Sequence, residues 1–570
     1  MPATQAERDA QAFLARAADF RLGSLVTESA HDETRGLSDA AADDPASAIA
    51  MLQRVDRDLA PVVRRAVTSD AFAQLERAFD ASFDNGGKVV FTGCGATGRL
   101  ALLLESMWRK ACRGAGDASL ENRVFGVMAG GDFALIKSVE GFEDHASFGR
   151  AQIAAHEVTS RDTVVAITEG GETTFVIGTA WAGREAGAET FFVYNNPDEL
   201  LRPVQRSREV LDEPDITKLN LTTGPMAVAG STRMQATSVQ LAVVGFALER
   251  SLERARGHRP MPTEAFADVV DRLLSQLALP AGVSALARLT EREAAVYRRE
   301  PHGRVLYRAD RLMLDVMTDT TERSPTFSLP PFRRRGEDDR PLSWSFVKHP
   351  AASTPEAWRR LLGRPIRGIA WDRSDYEAMG APRSVVDNPP ALDARTIEGF
   401  EIGCEPTDGA FDMRVAVAAP GETWPADVPC DVLLQVGGDP VDAAAERLQL
   451  PLDVPSTALD VPLRLAAKLA LNTVSTATMA AIGRLDSNWM VHVRCANMKL
   501  IDRGIRLLMD RASLDYESAC RELFVSIREL DAQRSPESPV AHALARLRSR
   551  HATSAADTPR SKMHIQKELP

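Results

Sequence analysis

Three glycines, Gly93, Gly95 and Gly98, stand between a β-branched apolar run, Val89-Val90-Phe91, and an amphipathic run from Leu100 to Trp108. A strand that turns through glycines into a helix brings backbone N–H groups and the positive helix end to one point, where an anion is stabilised. The segment Gly93-Cys94-Gly95-Ala96-Thr97-Gly98 fits G-x-G-x-x-G. That spacing serves the pyrophosphate of a dinucleotide or a phosphate cradle of another kind, and Asp132 lies near where a ribose-binding acid would stand.

Two further loops repeat the arrangement. Thr168-Glu169-Gly170-Gly171-Glu172-Thr173 follows a strand-like run, and "GPMAVAGSTRMQATS" (Gly224 to Ser238) precedes a long helical one. Thr97, Thr168, Thr173, Ser231 and Thr232 offer hydroxyl donors. Gly95, Gly98, Gly170 and Gly171 allow close backbone approach, and Arg99 and Arg233 bring positive charge. Such a set suits a phosphate monoester in the crevice beyond the strand C-termini. The same residue types cap helices, and Ser231 is well placed to cap the helix that follows it. Glu169 and Glu172 act against a dianion unless they bind a sugar hydroxyl, pair with Arg99 or Arg233, or face solvent. Alternatively they are carboxylates for enolisation, with Glu172 the catalytic candidate and Glu169 a substrate contact.

The elements that must position these loops are legible as alternation. Residues 1 to about 85 read as helical, apart from the extended polar stretch "SLVTESAHDETRGLSDAAADD". Strand-like runs then recur between helical ones: "KVVFT", "RVFGVMAG", "DTVVAIT", "ETFFVYNN" and "KLNLTTG". Such alternation predicts βαβ units and a parallel sheet covered on both faces. After helices over about 258–300, a second series appears: "RVLYRA", "RGIAW", "FEIGC", "MRVAVAA" and "DVLLQVG", closed by the helical "LAAKLALNTVSTATMAAIGRL". Its first loop, in "YRADRLML", lacks glycines, so backbone approach to a phosphate is expected only in the first series. The fold class is α/β, with a helical N-terminal segment over 1–60, α/β units over 61–257 and 301–510, a helical linker over 258–300, and a helical cap and disordered tail over 511–570.

A chain of 570 residues exceeds one ordinary core. Its net charge of −11 argues against nucleic-acid binding, and no run approaches the roughly 20 apolar residues of a membrane span. Six scattered cysteines without C-x-x-C pairs read as reduced thiols in a cytoplasmic protein, with no metal site.

Together the loops resemble the sugar isomerase (SIS) domain, in the branch holding N-acetylmuramic acid 6-phosphate etherases and glucokinase regulatory proteins. "GCGATGR" is similar to the family's G-x-G-T-S-G-R, "AGGDFALIKSVEGFEDH" to G-G-x-x-A-L-x-x-x-E-G-x-E-D, and "GPMAVAGSTRMQATS" to G-P-E-x-x-x-G-S-T-R-x-K-x-G. "LVTESAHDETRGLS" resembles the family's early segment, and "LALNTVSTATMAAIGRLDSNWMVHVRCANMKLIDRGI" the end of the regulatory protein's second SIS domain. The resemblance implies two tandem SIS domains, flavodoxin-like three-layer αβα sandwiches that pair as a pseudo-dimer within one chain. It implies a sugar phosphate or amino sugar as ligand and no cofactor, and it leaves a homodimer and a protein partner open.

The etherases use two glutamates, one assisting the leaving group and one removing the proton α to a carbonyl. The resemblance puts Met107 at the first position and Glu140 at the second. Glu322, in "DVMTDTTERSPTF", falls at the acid's place in the second unit and matters only if the two units face one crevice. Asn497 and Lys499 match family positions that reach a neighbouring site. The functional expectation is sugar-phosphate binding with lyase or isomerase chemistry. The alternative is a non-catalytic regulator in which the ligand controls docking to a partner.

Overall fold

A computed structural model of the chain describes residues 4–16, 22–139, 141–407, 409–439, 445–493, 495, 498–535 and 537–556, with side chains as far as 550. Helices Pro45–Asp56 (α1), Ala96–Ala115 (α2), Thr174–Glu185 (α3) and Gln235–Ala255 (α4) accompany strands Val89–Gly93 (β1), Val124–Met128 (β2), Thr163–Ile167 (β3), Glu189–Tyr194 (β4) and Ile216–Asn220 (β5). The five strands are parallel, in the order β2-β1-β3-β4-β5. All five expected runs of the first series are strands. β1 and β3 are buried along their whole length, as unbroken apolar runs covered on both faces must be.

The second series follows helix Pro280–Tyr297 (α5) and consists of Val305–Arg308 (β6), helix Met313–Phe327 (α6), Ser345–Lys348 (β7), Met413–Ala418 (β8), Val432–Val436 (β9), Glu446–Leu450 (β10) and helix Val461–Ala481 (α7). Its strand order is β10-β9-β8-β6-β7, the first sheet's topology repeated. Two expected strands are not strands. "RGIAW" contributes one isolated bridge, Ile369 to Leu392. "FEIGC" runs beside β7 through single backbone bonds, His349 N–H to Ile402 O at 2.8 Å and Cys404 N–H to Ala352 O at 2.8 Å. The true edge strands are the short β7 and the charged "ERLQL" of β10, whose Glu, Arg, Leu and Gln favour helices intrinsically. Pairing with the neighbouring strand overrides that preference.

The chain leaves β1 towards β2 and β3 towards β4, in opposite directions along the sheet. Right-handed crossovers then put α2 and α3 on opposite faces, opening a crevice beyond β1 and β3. Residues Ser24–Met490 form one compact unit holding both sheets. Within it the nearly all-buried α4 and α7 pack together, with Gly245 of α4 against Val461 at the start of α7. The polar stretch expected to be extended is wound instead into single 3₁₀ turns, Val26–Glu28 and Asp32–Thr34, and helix Leu37–Asp43. Thr34 holds it there, its hydroxyl donating to Ala227 O at 2.7 Å.

The described residues of Met1–Gly23 and Val491–Pro570 form the other unit. It contains helices Gln5–Leu14, Met498–Ala512, Tyr516–Gln533 and Pro539–Ala556, joined by a Phe13–Phe524 ring contact and an Arg528–Asp9 ion pair. The tail expected to be disordered, from 557, lies outside the described residues. Among the described residues no single helix is long and apolar enough to cross a membrane.

Candidate functional site

Each glycine of the first loop has a separate task. Gly95 takes φ +58°, a backbone conformation that disfavours a side chain, and the space where its Cβ would stand is open. A Cβ on Gly93 would lie 2.4 Å from the Thr97 carbonyl carbon, and one on Gly98 2.5 Å from the Met128 side chain. Those two glycines therefore serve packing, and Gly95 leaves the approach to the N-terminus of α2 clear. Thr97 closes the turn on itself, donating to Cys94 O at 2.9 Å and accepting from Cys94 N–H at 3.1 Å. Asp132 is taken: both its oxygens accept from Arg364, at 2.6 and 2.8 Å, and one also accepts from Arg367 N–H at 2.7 Å. The dinucleotide alternative loses its ribose partner.

In the second loop, Gly171 takes φ +77° and its N–H donates to Thr168 Oγ1 at 3.2 Å. Thr168 donates in turn to Thr173 Oγ1 at 3.1 Å, which leaves the Thr173 hydroxyl proton for an external acceptor. Gly170 O accepts from Asn196 Nδ2 at 2.9 Å, and the same amide clamps Thr27 through two bonds of 2.9 and 3.1 Å. Glu172 is ion-paired with Arg206 at 2.9 Å, and Arg206 Nε also donates to Glu172 O at 2.5 Å. The repulsion expected from Glu172 is thereby offset by an arginine that the sequence reading did not single out. Glu169 is buried and accepts from Thr237 Oγ1 at 3.4 Å.

Ser231 does not cap the third loop's helix. α4 begins at Gln235 with Met234 before it, and the Ser231 and Thr232 hydroxyls make no hydrogen bond among the described residues. The loop is held through Gln235, which accepts from Ala227 N–H at 3.0 Å and donates to Asp56 Oδ1 at 2.6 Å. Gln240 on the same helix donates to Thr168 O at 3.1 Å, tying the third loop to the second.

Burial pushes the Asp56 carboxyl up to about 7, against the opposing pull of Gln235 and Lys468. An acid raised above its unfolded value contributes stability that is complete below the unfolded pKa and lost as pH rises through the folded one. Between pH 5 and 8 the wild type is therefore expected to lose about 2–3 kcal/mol relative to Asp56→Asn, which keeps the acceptor without the charge. Urea midpoints of the two proteins at both pH values measure this, and an unchanged gap would refute it.

The second unit faces the first across a shared crevice. Arg99, 1% exposed, pairs with Glu322 at 2.6 Å, and its Nε donates to Thr321 at 3.3 Å. Arg233 pairs with Asp319 at 3.0 Å and donates to Ser475 and Thr476 of α7 at 3.1 and 3.0 Å. Lys468 donates to Arg233 O at 2.5 Å and to Asn472 at 2.6 Å. Burial, with Arg233 adding to it, lowers the Lys468 ammonium to about 8. Leu100, Leu103 and Leu241 complete the lining, and about 30 Å³ is left open, room for water and not for a sugar. Both expected ligand arginines are thus structural ties in this arrangement.

The other expected residues lie elsewhere. Glu140 and Asn497 lie outside the described residues, and Lys499 is on helix Met498–Ala512 of the other unit. Arg206 and Lys468 were not anticipated. A lone lysine in the apolar run of α7 is a signal that could have marked Lys468; for Arg206, on a charged surface helix, there is none.

Residues 71–181 match the family described as the glucokinase regulatory protein N-terminal SIS domain. The N-acetylmuramic acid 6-phosphate etherase of Serratia proteamaculans is 30% identical over 225 residues, 40% of this chain and 69% of that protein. The one of Yersinia pestis (strain Pestoides F) is 32% identical over 226 residues, 39% of this chain and 69% of that protein. The C-terminal domain of glucosamine-fructose-6-phosphate aminotransferase from Francisella tularensis is 10% identical, aligns over 77% of this chain and 96% of its own, and has a TM-score of 0.38. On these sequence relationships, the chain belongs to the SIS-domain family of the N-acetylmuramic acid 6-phosphate etherases and the glucokinase regulatory protein.

Proposed function

We propose that the first α/β unit binds a sugar phosphate beyond the C-terminal ends of β1 and β3, and that the protein responds to this ligand without etherase chemistry. The observation that carries the reading is the set of unspent donors at one sheet end. Ser231 and Thr232 hydroxyls are unengaged among the described residues, and the Thr173 proton is free at the end of its relay. The cleared backbone at Gly95 leads to the N-terminus of α2. Hydroxyls and helix-end N–H groups are what a phosphate monoester needs.

Met107, where the resemblance puts the leaving-group acid of the etherases, supports a regulator, in which the ligand controls docking to a partner. Lyase or isomerase chemistry through Glu140 or Glu172 is the second reading, and the pairing of Glu172 with Arg206 weighs against Glu172 as a free base. Titration calorimetry with glucose 6-phosphate tests the site. Ser231→Ala is expected to weaken binding about tenfold, the loss of one charge-assisted hydrogen bond. Unaltered affinity in both Ser231→Ala and Thr173→Val would remove the site from this loop set.

A further inference from the structure

The second sheet carries a cleft of its own. It opens beyond β6 and β8, which lie side by side where the second sheet's strand order turns, the place where open α/β sheets hold ligands. The loops after those strands contribute Asp310, Arg311 and Glu422, and α2 of the first unit contributes Lys110 and Arg113. About 500 Å³ is open, within the range of small-molecule sites.

Five basic side chains, Lys110, Arg113, Arg311, Arg360 and Arg464, face it with two acidic ones, Asp310 and Glu422. Both acids already have donors. Asp310 accepts from His349 Nε2 at 3.1 Å, and His349 Nδ1 accepts the N–H groups of Ala351 and Ala352, which puts the imidazole proton on Nε2. Glu422 accepts from Ala419 N–H at 2.9 Å and Arg311 N–H at 3.3 Å.

Arg113, Arg311 and Arg360 are ion-paired with Glu121, Asp460 and Glu356, and Arg464 with Asp315; Arg464 and Lys110 still have donors to spare. Arg464 is 5% exposed; its Nη1 reaches Asp315 and Arg311 O, but its Nε has no partner among the described residues. Lys110, half-buried, makes no hydrogen bond or ion pair among the described residues. Burial, with Arg464 adding to it, lowers the Lys110 ammonium to about 7. A partly desolvated ammonium without a partner is stabilised when an anion joins it.

We propose that this cleft is a second ligand site, which takes a phosphomonoester dianion between the two α/β units. Recognition here runs through side chains, so the absence of glycine between Ala309 and Leu312 is no obstacle. Because Lys110 and Arg113 belong to α2 and the other cations to the second unit, the bound anion ties the N-terminal end of the second sheet's first crossover to the first unit.

Calorimetry at low salt in a cationic buffer tests this with inorganic phosphate, glucose 6-phosphate and AMP. Lys110→Met is expected to weaken the cleft event about tenfold or more, and Lys110→Arg to restore most of it. Ser231→Ala, at the other site, is expected to leave it unchanged. Binding of inorganic phosphate with the same affinity as the esters would mean a site for the free ion and overturn the ester assignment. Phosphate compounds that bind wild type, Lys110→Met and Arg360→Gln alike overturn the site itself. The exposed Arg360→Gln provides this answer even if Lys110→Met does not fold.

Discussion

N-Acetylmuramic acid 6-phosphate incubated with this protein is expected to release lactate at least about a hundredfold more slowly than with an etherase. A positioned general acid contributes roughly 10²–10⁴ to such a rate, and the resemblance puts the buried Met107 where the etherases have that acid. Glu105, two residues earlier on α2, does not replace it. Burial pushes its carboxyl up, but Arg364, Arg367 and Arg109 outweigh that and hold it below the usual range. Its oxygens accept from Arg109 at 2.8 Å, Arg364 at 3.0 Å, Arg367 at 2.6 and 3.1 Å, and Gly126 N–H at 3.0 Å. A carboxylate so held has no proton to give. Glu322, which the resemblance puts at the acid's place in the second unit, is engaged by Arg99. Lactate release at an etherase's rate, abolished by Glu140→Gln, would sink this expectation and move the protein into the enzyme class.

The largest effect on stability is expected from Arg323→Met, a loss of about 3–5 kcal/mol. Arg323, 1% exposed, lies in the middle of a buried network built from α5, α6, β6 and α7. It donates to Glu293 at 2.8 Å, to Asp319 at 3.0 and 3.1 Å, and to Tyr307 at 3.2 Å. Glu293 also accepts from Tyr307 at 2.6 Å, Tyr297 at 3.1 Å and Thr478 at 3.1 Å. Removing the arginine leaves Glu293 as a buried anion with neutral donors only, whereas Asp319 keeps Arg233. The double variant Arg323→Met/Glu293→Gln is therefore expected to regain part of the loss. Urea denaturation of the three proteins measures it, and a single-variant loss under about 1 kcal/mol would show that the network contributes little.

What the sequence determined by itself is local. The alternation of apolar runs placed all five strands of the first sheet, and the glycine spacing at 93–98 placed the start of α2 against β1. Both are properties of short stretches, since a two-sided buried strand needs an unbroken apolar run and a tight strand-to-helix turn needs glycine. Charged β10 and four-residue β7 were not legible, because edge strands are defined by a neighbour far along the chain. Side-chain partners were decided by tertiary structure alone. Arg99 and Glu322 are 223 positions apart, and each reads locally as a ligand or catalytic group; packing α2 against α6 makes them partners of each other. The same packing carries Lys110 and Arg113 of α2 to the second sheet, where they join cations more than 190 positions away. Charge at the end of a helix has no local mark that distinguishes solvent from a facing domain, so only the assembled fold could collect these groups into one cleft.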